Sequence, residues 1–138
     1  MAVTQVTIDV PGSSANLGPG YDCLAIALPL RLRVTAERRP GPLSVQLAGE
    51  GASSLPQDAS NLVVSTLLAE LDERGDDLAV TIENEIPLGA GCGSSAAAIV
   101  AALASHAFQT TASGKFSVAI CHLSHHHTPI ERHAHPLK

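Results

Sequence analysis

Aromatic side chains are nearly absent: 138 residues hold two Phe, one Tyr and no Trp. A core therefore has to be built from Ala, Val, Leu and Ile. Basic residues are few, eight Lys and Arg against thirteen Asp and Glu, for a net charge of −5 with His neutral. No basic stripe is available to neutralise a phosphate backbone, which argues against general nucleic-acid binding. A free nucleotide stays open, because backbone N–H groups can hold its phosphates. The three cysteines (Cys23, Cys92, Cys121) are odd in number and widely spaced. They match neither a disulfide framework nor a C-x-x-C zinc pattern. The apolar runs are short and interrupted, so no membrane span is expected. The first ten residues lack the basic and unbroken apolar stretches of a secretory signal. The expectation is a soluble cytoplasmic protein.

What is present is enough apolar side chain, 45% of the chain at a mean hydropathy of +0.20, to bury one core. Residues 3–10 alternate, with Val6, Ile8 and Val10 on one side, and read as a half-buried strand. Residues 11–20, with three Gly and two Pro, read as a loop. Leu28, Leu30, Leu32 and Val34 share a second strand face, with Pro29 marking its entry. Leu43, Val45 and Leu47 suggest a third strand. A polar loop over 48–60 offers Asp58 or Ser60 as a helix cap. Val63, Val64, Leu67, Leu68 and Leu71 then recur at helical spacing, with Gly75 as the stop. Leu78, Val80, Ile82 and Ile86 mark a fourth strand ended by Pro87. A second helix opens near Ser94, with Ala96, Ile99, Val100, Leu103 and Ala107 as its expected buried face. The order β-β-β-α-β-α is an α+β layout.

Two loops carry chemistry. In Pro87-Leu88-Gly89-Ala90-Gly91-Cys92-Gly93-Ser94-Ser95-Ala96-Ala97, alternating glycines let the backbone take positive φ and approach a ligand. The helix that follows offers unpaired N–H groups and the positive end of its dipole to a phosphate. The hydroxyls of Ser94 and Ser95 can bond phosphate or ligate Mg²⁺. No Lys follows the last Gly, so this is not a Walker A loop, and the G-x-G-x-G spacing is not a Rossmann fingerprint. Taken alone, a Gly/Ser turn before a helix is more often just a helix start. In the other loop, Pro11 to Asp22, Asn16 and Asp22 have the reach to grip an amino or hydroxyl group. They also suit local turn bonding. Cys92 has no evident base beside it to make it a nucleophile.

Together the two loops resemble those of the GHMP kinases. PGSSANLGPGYD follows the first strand and PLGAGCGSSAAA the fourth, in the family's order and spacing, with Asp58 and Asn61-Leu62-Val63 between them. The first loop is most similar to that of the homoserine-phosphorylating branch. The resemblance covers residues 4 to about 104, departing only at Tyr21 and Cys92, where the family usually has Phe and Leu. It implies the GHMP kinase amino-terminal fold (ribosomal protein S5 domain 2-like), incomplete here. It implies Pro87–Ala97 as the ATP phosphate loop, Ser94 or Ser95 near Mg²⁺, Asn61 near the adenine, and Asn16 and Asp22 on the substrate. The implied reaction transfers the ATP γ-phosphoryl group to the side-chain hydroxyl of homoserine, a step in threonine synthesis.

The text changes after about residue 104, where all seven His and both Phe are found. The expected division is residues 1–104 as the ATP-binding domain and 105–138 as an atypical His-rich tail, from a truncated or frame-shifted reading of a longer gene. His122, His125, His126, His127, His133 and His135 suit adventitious Zn²⁺, Ni²⁺ or Cu²⁺ more than a built site. The family's Mg²⁺-binding Glu and later substrate groups have no match in this chain. Impaired kinase activity is thus expected, with a non-catalytic nucleotide-binding remnant as the alternative. A missing half would also leave an apolar face open to aggregation or to a homodimer.

Overall fold

A computed structural model describes residues 5–15, 17–18, 24–71 and 76–110. The elements run β1 (Gln5–Ala15), β2 (Ala25–Arg38), β3 (Ser44–Gly49), α1 (Leu62–Leu71), β4 (Leu78–Asn84) and α2 (Ser94–Thr110). The sheet order is β1-β2-β4-β3; β3 pairs parallel to β4, and the other two pairings are antiparallel. The parallel pair is joined through α1, as a parallel connection requires. α2 packs on β1 and β2 and beside α1. Helices on one face of a mixed sheet make this the α+β layout expected from the sequence.

The register explains the two faces. Ile8, Val34, Ile82 and Leu47 form one row across all four strands, and Val6, Ala36, Val80 and Val45 form the next. All but half-buried Leu47 are buried. On the open face, Asp9, Arg33 and Glu83 stand opposite one another. Arg33 reaches Asp9 at 3.1 Å and Glu83 at 3.6 Å. The Asp9 hydrogen bond raises the Arg33 pKa further above its usual range. The pairs lie in solvent and add little stability.

Three expectations need correction. First, β1 does not stop at Val10. It continues through Pro11-Gly12-Ser13-Ser14-Ala15 against Ala25–Ala27 of β2, past a register shift between Pro11 and Ser13. Arg31 pairs with Pro11 and Ala27 with Ser13, so residues 28–30 of β2 face Gly12 alone. Pro29 lies in that bulge, where no ladder donor is needed. Second, Asp58 and Ser60 do not cap α1. Asp58 accepts from the Ser60 N–H (2.8 Å) and Oγ (2.6 Å), and these bonds hold its carboxyl below the usual carboxylate range. The cap is Asn61, whose Oδ1 accepts from the Val63 N–H at 3.0 Å.

Third, α2 is rotated from the expected face. Ala97, Ala101, Ala102 and Ser105 are buried; Ala96, Ile99, Leu103 and Ala107 are exposed, and Val100 is half-buried. Valines and isoleucines already fill the sheet side, so the helix approaches on its smallest residues. Ser105 Oγ donates to the Ala101 carbonyl at 2.7 Å, which permits its burial. α2 also crosses the composition break placed at residue 104. Gly75 and the His-rich segment lie outside the described residues.

The rotation is testable. Ala101→Leu should cost about 1–3 kcal/mol by overpacking, whereas Leu103→Ala should cost under about 1 kcal/mol. Urea unfolding of the two variants measures both; the reverse order would place α2 in its expected phase.

Candidate functional site

The glycine loop leaves β4 through buried Ile86 and Pro87 and enters α2 at Ser94. Gly89, Gly91 and Gly93 take φ of 70°, 70° and 72°, while Ala90 and Cys92 between them do not have positive φ. Such sign alternation turns successive N–H groups toward one concave side, an arrangement suited to anions. The glycines differ in kind. A Cβ on Gly89 or Gly91 would meet nothing within 4 Å, so these two serve the backbone angle alone. A Cβ on Gly93 would lie 2.5 Å from Ser13 Oγ and 3.1 Å from the Ser13 carbonyl oxygen. Beside that contact the Ser13 N–H donates to the Cys92 carbonyl at 2.9 Å. The second half of β1, read from sequence as open loop, is thus the bed of the glycine loop.

Among the described residues, no N–H group of residues 88–96 donates to another protein group. The first intrahelical bond of α2 is Ala97 N–H to the Gly93 carbonyl, 2.9 Å. Ala97 is therefore a core residue with its amide in use, while the amides before it have no partner among the described residues. Among the described residues, the hydroxyls of half-buried Ser94 and exposed Ser95 have no hydrogen-bond partner either. Cys92 Sγ is half-buried, 3.6 Å from the Ala90 carbonyl.

A cavity of about 270 Å³ adjoins the loop. The sheet contributes Leu32, Leu47 and Ile82, the 50–56 loop Leu55 and Pro56, and the glycine loop Leu88. Asn61 and Leu62 line it at the start of α1, Ser94 and Ser95 at the start of α2, so the positive ends of both helices border it. Asn61 is present, but its side chain is committed: Nδ2 donates to the Pro56 carbonyl at 2.9 Å, and Oδ1 caps the helix. Its backbone N–H donates to the Asp58 carbonyl at 3.1 Å and its carbonyl accepts from the Ser65 N–H at 2.7 Å, so what it offers a ligand is wall. Asn16 and Asp22 lie outside the described residues. Sequence reasoning missed Ser13, Leu55 and Asn84; Leu88 was expected in the phosphate loop and also lines the cavity. The Leu55-Pro56 pair inside a polar loop was the available signal for the far wall.

An apolar slot beside an amide-lined cradle suits a flat ring joined to a polyanion. The family description "GHMP kinases N terminal domain" matches residues 61–128. Homoserine kinase from Corynebacterium aurimucosum is 49% identical over 104 residues, 73% of this chain and 34% of that protein. Homoserine kinase from Corynebacterium glutamicum is 48% identical over 103 residues, 72% and 33%. The chain carries a GHMP kinase amino-terminal domain. The crystal structure of homoserine kinase from Cytophaga hutchinsonii shares the fold of this GHMP kinase domain at a TM-score of 0.64 and 24% identity, over 80% of this chain and 37% of that one. The chain spans about a third of the length of the curated relatives it matches. No helix among the described residues is long and apolar enough to cross a membrane.

The two kinds of glycine predict different costs. Gly91→Ala should lose about 1–2 kcal/mol, the cost of a left-handed alanine. Gly93→Ala should lose at least about 1 kcal/mol more, because its Cβ meets Ser13 as well. Denaturant midpoints of both variants give the difference; equal costs would mean that the loop does not rest on β1.

Proposed function

We propose that this domain binds ATP, with the triphosphate on the amides of residues 88–96 and the adenine in the slot beside Leu55, Pro56 and Leu88. The observation that carries the reading is the run of unpartnered amides at positive-φ glycines, continued into the start of a 17-residue helix. An anion there gains the amides and the helix dipole together.

Mg²⁺ fits the same place. Ser94 and Ser95 supply hard oxygens without a partner among the described residues, and Mg²⁺ in such sites takes few protein ligands beside the phosphates. Among the described residues, no three His, Cys, Asp or Glu gather into a metal site, so the ion would arrive with the nucleotide. Bound there, it would neutralise charge on the transferring phosphoryl group. The protein's own contribution is positional: amides hold the phosphate chain, and the slot fixes the other end of the molecule.

The acceptor in this reading is the side-chain hydroxyl of homoserine, gripped by Asn16 and Asp22, in cytoplasmic threonine synthesis. The support is the kinship to homoserine kinases and the matching loop PGSSANLGPGYD. The family's Mg²⁺-binding Glu and later substrate groups are unmatched, so turnover by these 138 residues alone is expected to be weak. A second reading, nucleotide binding without transfer, shares the cradle and differs only in turnover. A homodimer joined through the exposed apolar residues of α2 is compatible with either.

Saturating ATP with Mg²⁺ should raise the unfolding temperature, since a ligand at about 100 times its Kd stabilises by about 2.7 kcal/mol. No shift at millimolar ATP would overturn nucleotide binding. ADP release with homoserine should fall at least about a thousandfold below the roughly 1 s⁻¹ of an ordinary kinase, the effect of about 4 kcal/mol on the barrier.

A further inference from the structure

The period of β4 breaks at its last residue. Leu78, Val80 and Ile82 are buried on the helix-facing side, and the register continues that side at residue 84, beside Leu32 of β2 and Gly49 of β3. The residue there is Asn84, only 7% exposed. A buried amide at an apolar position is costly unless its polar groups are paired, and these are. Nδ2 donates to the carbonyls of Glu50 and Ile86, both at 3.1 Å, and Oδ1 accepts from the Ile86 N–H at 3.0 Å. The Asn84 backbone carbonyl also accepts from the Glu50 N–H at 2.7 Å. Gly49, at φ 83°, lies so close that a Cβ would collide with that carbonyl oxygen.

The two tethered segments are the two halves of the site. Glu50 begins the loop that carries Leu55 and Pro56, the far wall of the slot. Ile86 begins the glycine loop. They meet again above Asn84: a Cβ on Gly51 would lie 2.7 Å from a methyl group of Leu55 and 2.7 Å from one of Leu88. One buried side chain therefore fixes how far the slot stands from the cradle.

We propose that Asn84 is a positioning residue that holds slot and cradle at the spacing of one nucleoside triphosphate. The inference rests on the reading of the site as a nucleotide site. A ligand that spans two rigidly spaced subsites binds far more tightly than its separated halves, because the second contact is made at high effective concentration. Freeing Glu50 and Ile86 from Asn84 removes that gain and leaves each subsite its own contacts.

The test uses the full chain with Mg²⁺ present and three probes: adenosine, tripolyphosphate and ATP. Calorimetry on the wild type, Asn84→Leu and Asn84→Ala compares them. Asn84→Leu restores the apolar period and adds no charge near the phosphates. We expect the Kd for ATP to rise about tenfold or more, while those for adenosine and tripolyphosphate move less than about threefold. A similar loss for all three would mark Asn84 as merely structural and overturn the proposal. Should neither variant fold, amide exchange in the wild type decides: adenosine alone should slow exchange at residues 86–95 by about twofold or more. Protection confined to residues 50–63 overturns the proposal. A wild type that binds none of the probes overturns the nucleotide reading and the proposal together, whereas binding with proportional losses overturns the proposal only.

Discussion

Gly93 touches Ser13 where no side chain could fit, and the geometry of the site follows from that contact. The glycine loop is fixed at one end by buried Ile86 and at the other by the Ser13 N–H bond to the Cys92 carbonyl. Between these anchors its amides have no partner among the described residues. A loop held only by its own hydrogen bonds would have to turn those amides inward. Here the anchoring comes from a carbonyl and a vanished Cβ, so the donors are left over for a ligand. On the proposed nucleotide reading, that separation of anchoring from binding is what distinguishes the segment from a plain helix start.

The same economy of volume runs through the core. With almost no aromatic residues, the sheet presents valine, isoleucine and leucine rows, and α2 answers with alanines. Close approach of backbone to backbone replaces the filling that a Phe or Trp would provide. One consequence is that the larger apolar residues of α2 are turned outward: Ile99 is 40% exposed and Leu103 42%, one turn apart. Leu24 and Ile26, each 54% exposed, stand on the β1–β2 extension beyond the core rows. Isolated apolar residues on a surface mean little. Two on one helix face, in a domain a third the length of its relatives, mark a side that the core does not need.

Much of this was legible in the sequence. All six elements are in the expected order, because strand and helix periods differ sharply in segments such as Leu78–Ile82 and Val63–Leu71. The backbone of the glycine loop was legible because alternating glycines permit the positive φ found at Gly89, Gly91 and Gly93, while a role for it was suggested only by the family resemblance. The misreadings share a cause. The burial of α2 was assigned to its bulkiest residues, whereas the fit to a crowded sheet selects the smallest. Pro11-Gly12-Ser13-Ser14 looked like a turn because its composition is that of a turn. In fact a three-to-one bulge opposite Gly12 lets a Gly/Pro-rich strand continue, and no local pattern in β1 announces the partner's extra residues. Asn61, as the cap, was hidden behind two better-known capping types just before it. The slot was illegible because its walls come from five separate segments.

Asn84 belongs to a different class of misreading, since its signal was in plain view. The alternation Leu78, Val80, Ile82, Ile86 skips one position, and the skipped residue is a polar amide on the buried side. When every other local preference agrees with the fold, a single contradiction is more informative than another agreement. An aliphatic residue at 84 would extend the core row at lower desolvation cost, but it would remove the side-chain bonds to Glu50 and Ile86 and keep only the backbone bond from the Glu50 N–H. A fold needs only the row. A molecule that must hold two surfaces at a set distance needs the tether. On the proposed nucleotide reading, the buried amide answers the demands of a spanning ligand better than those of stability.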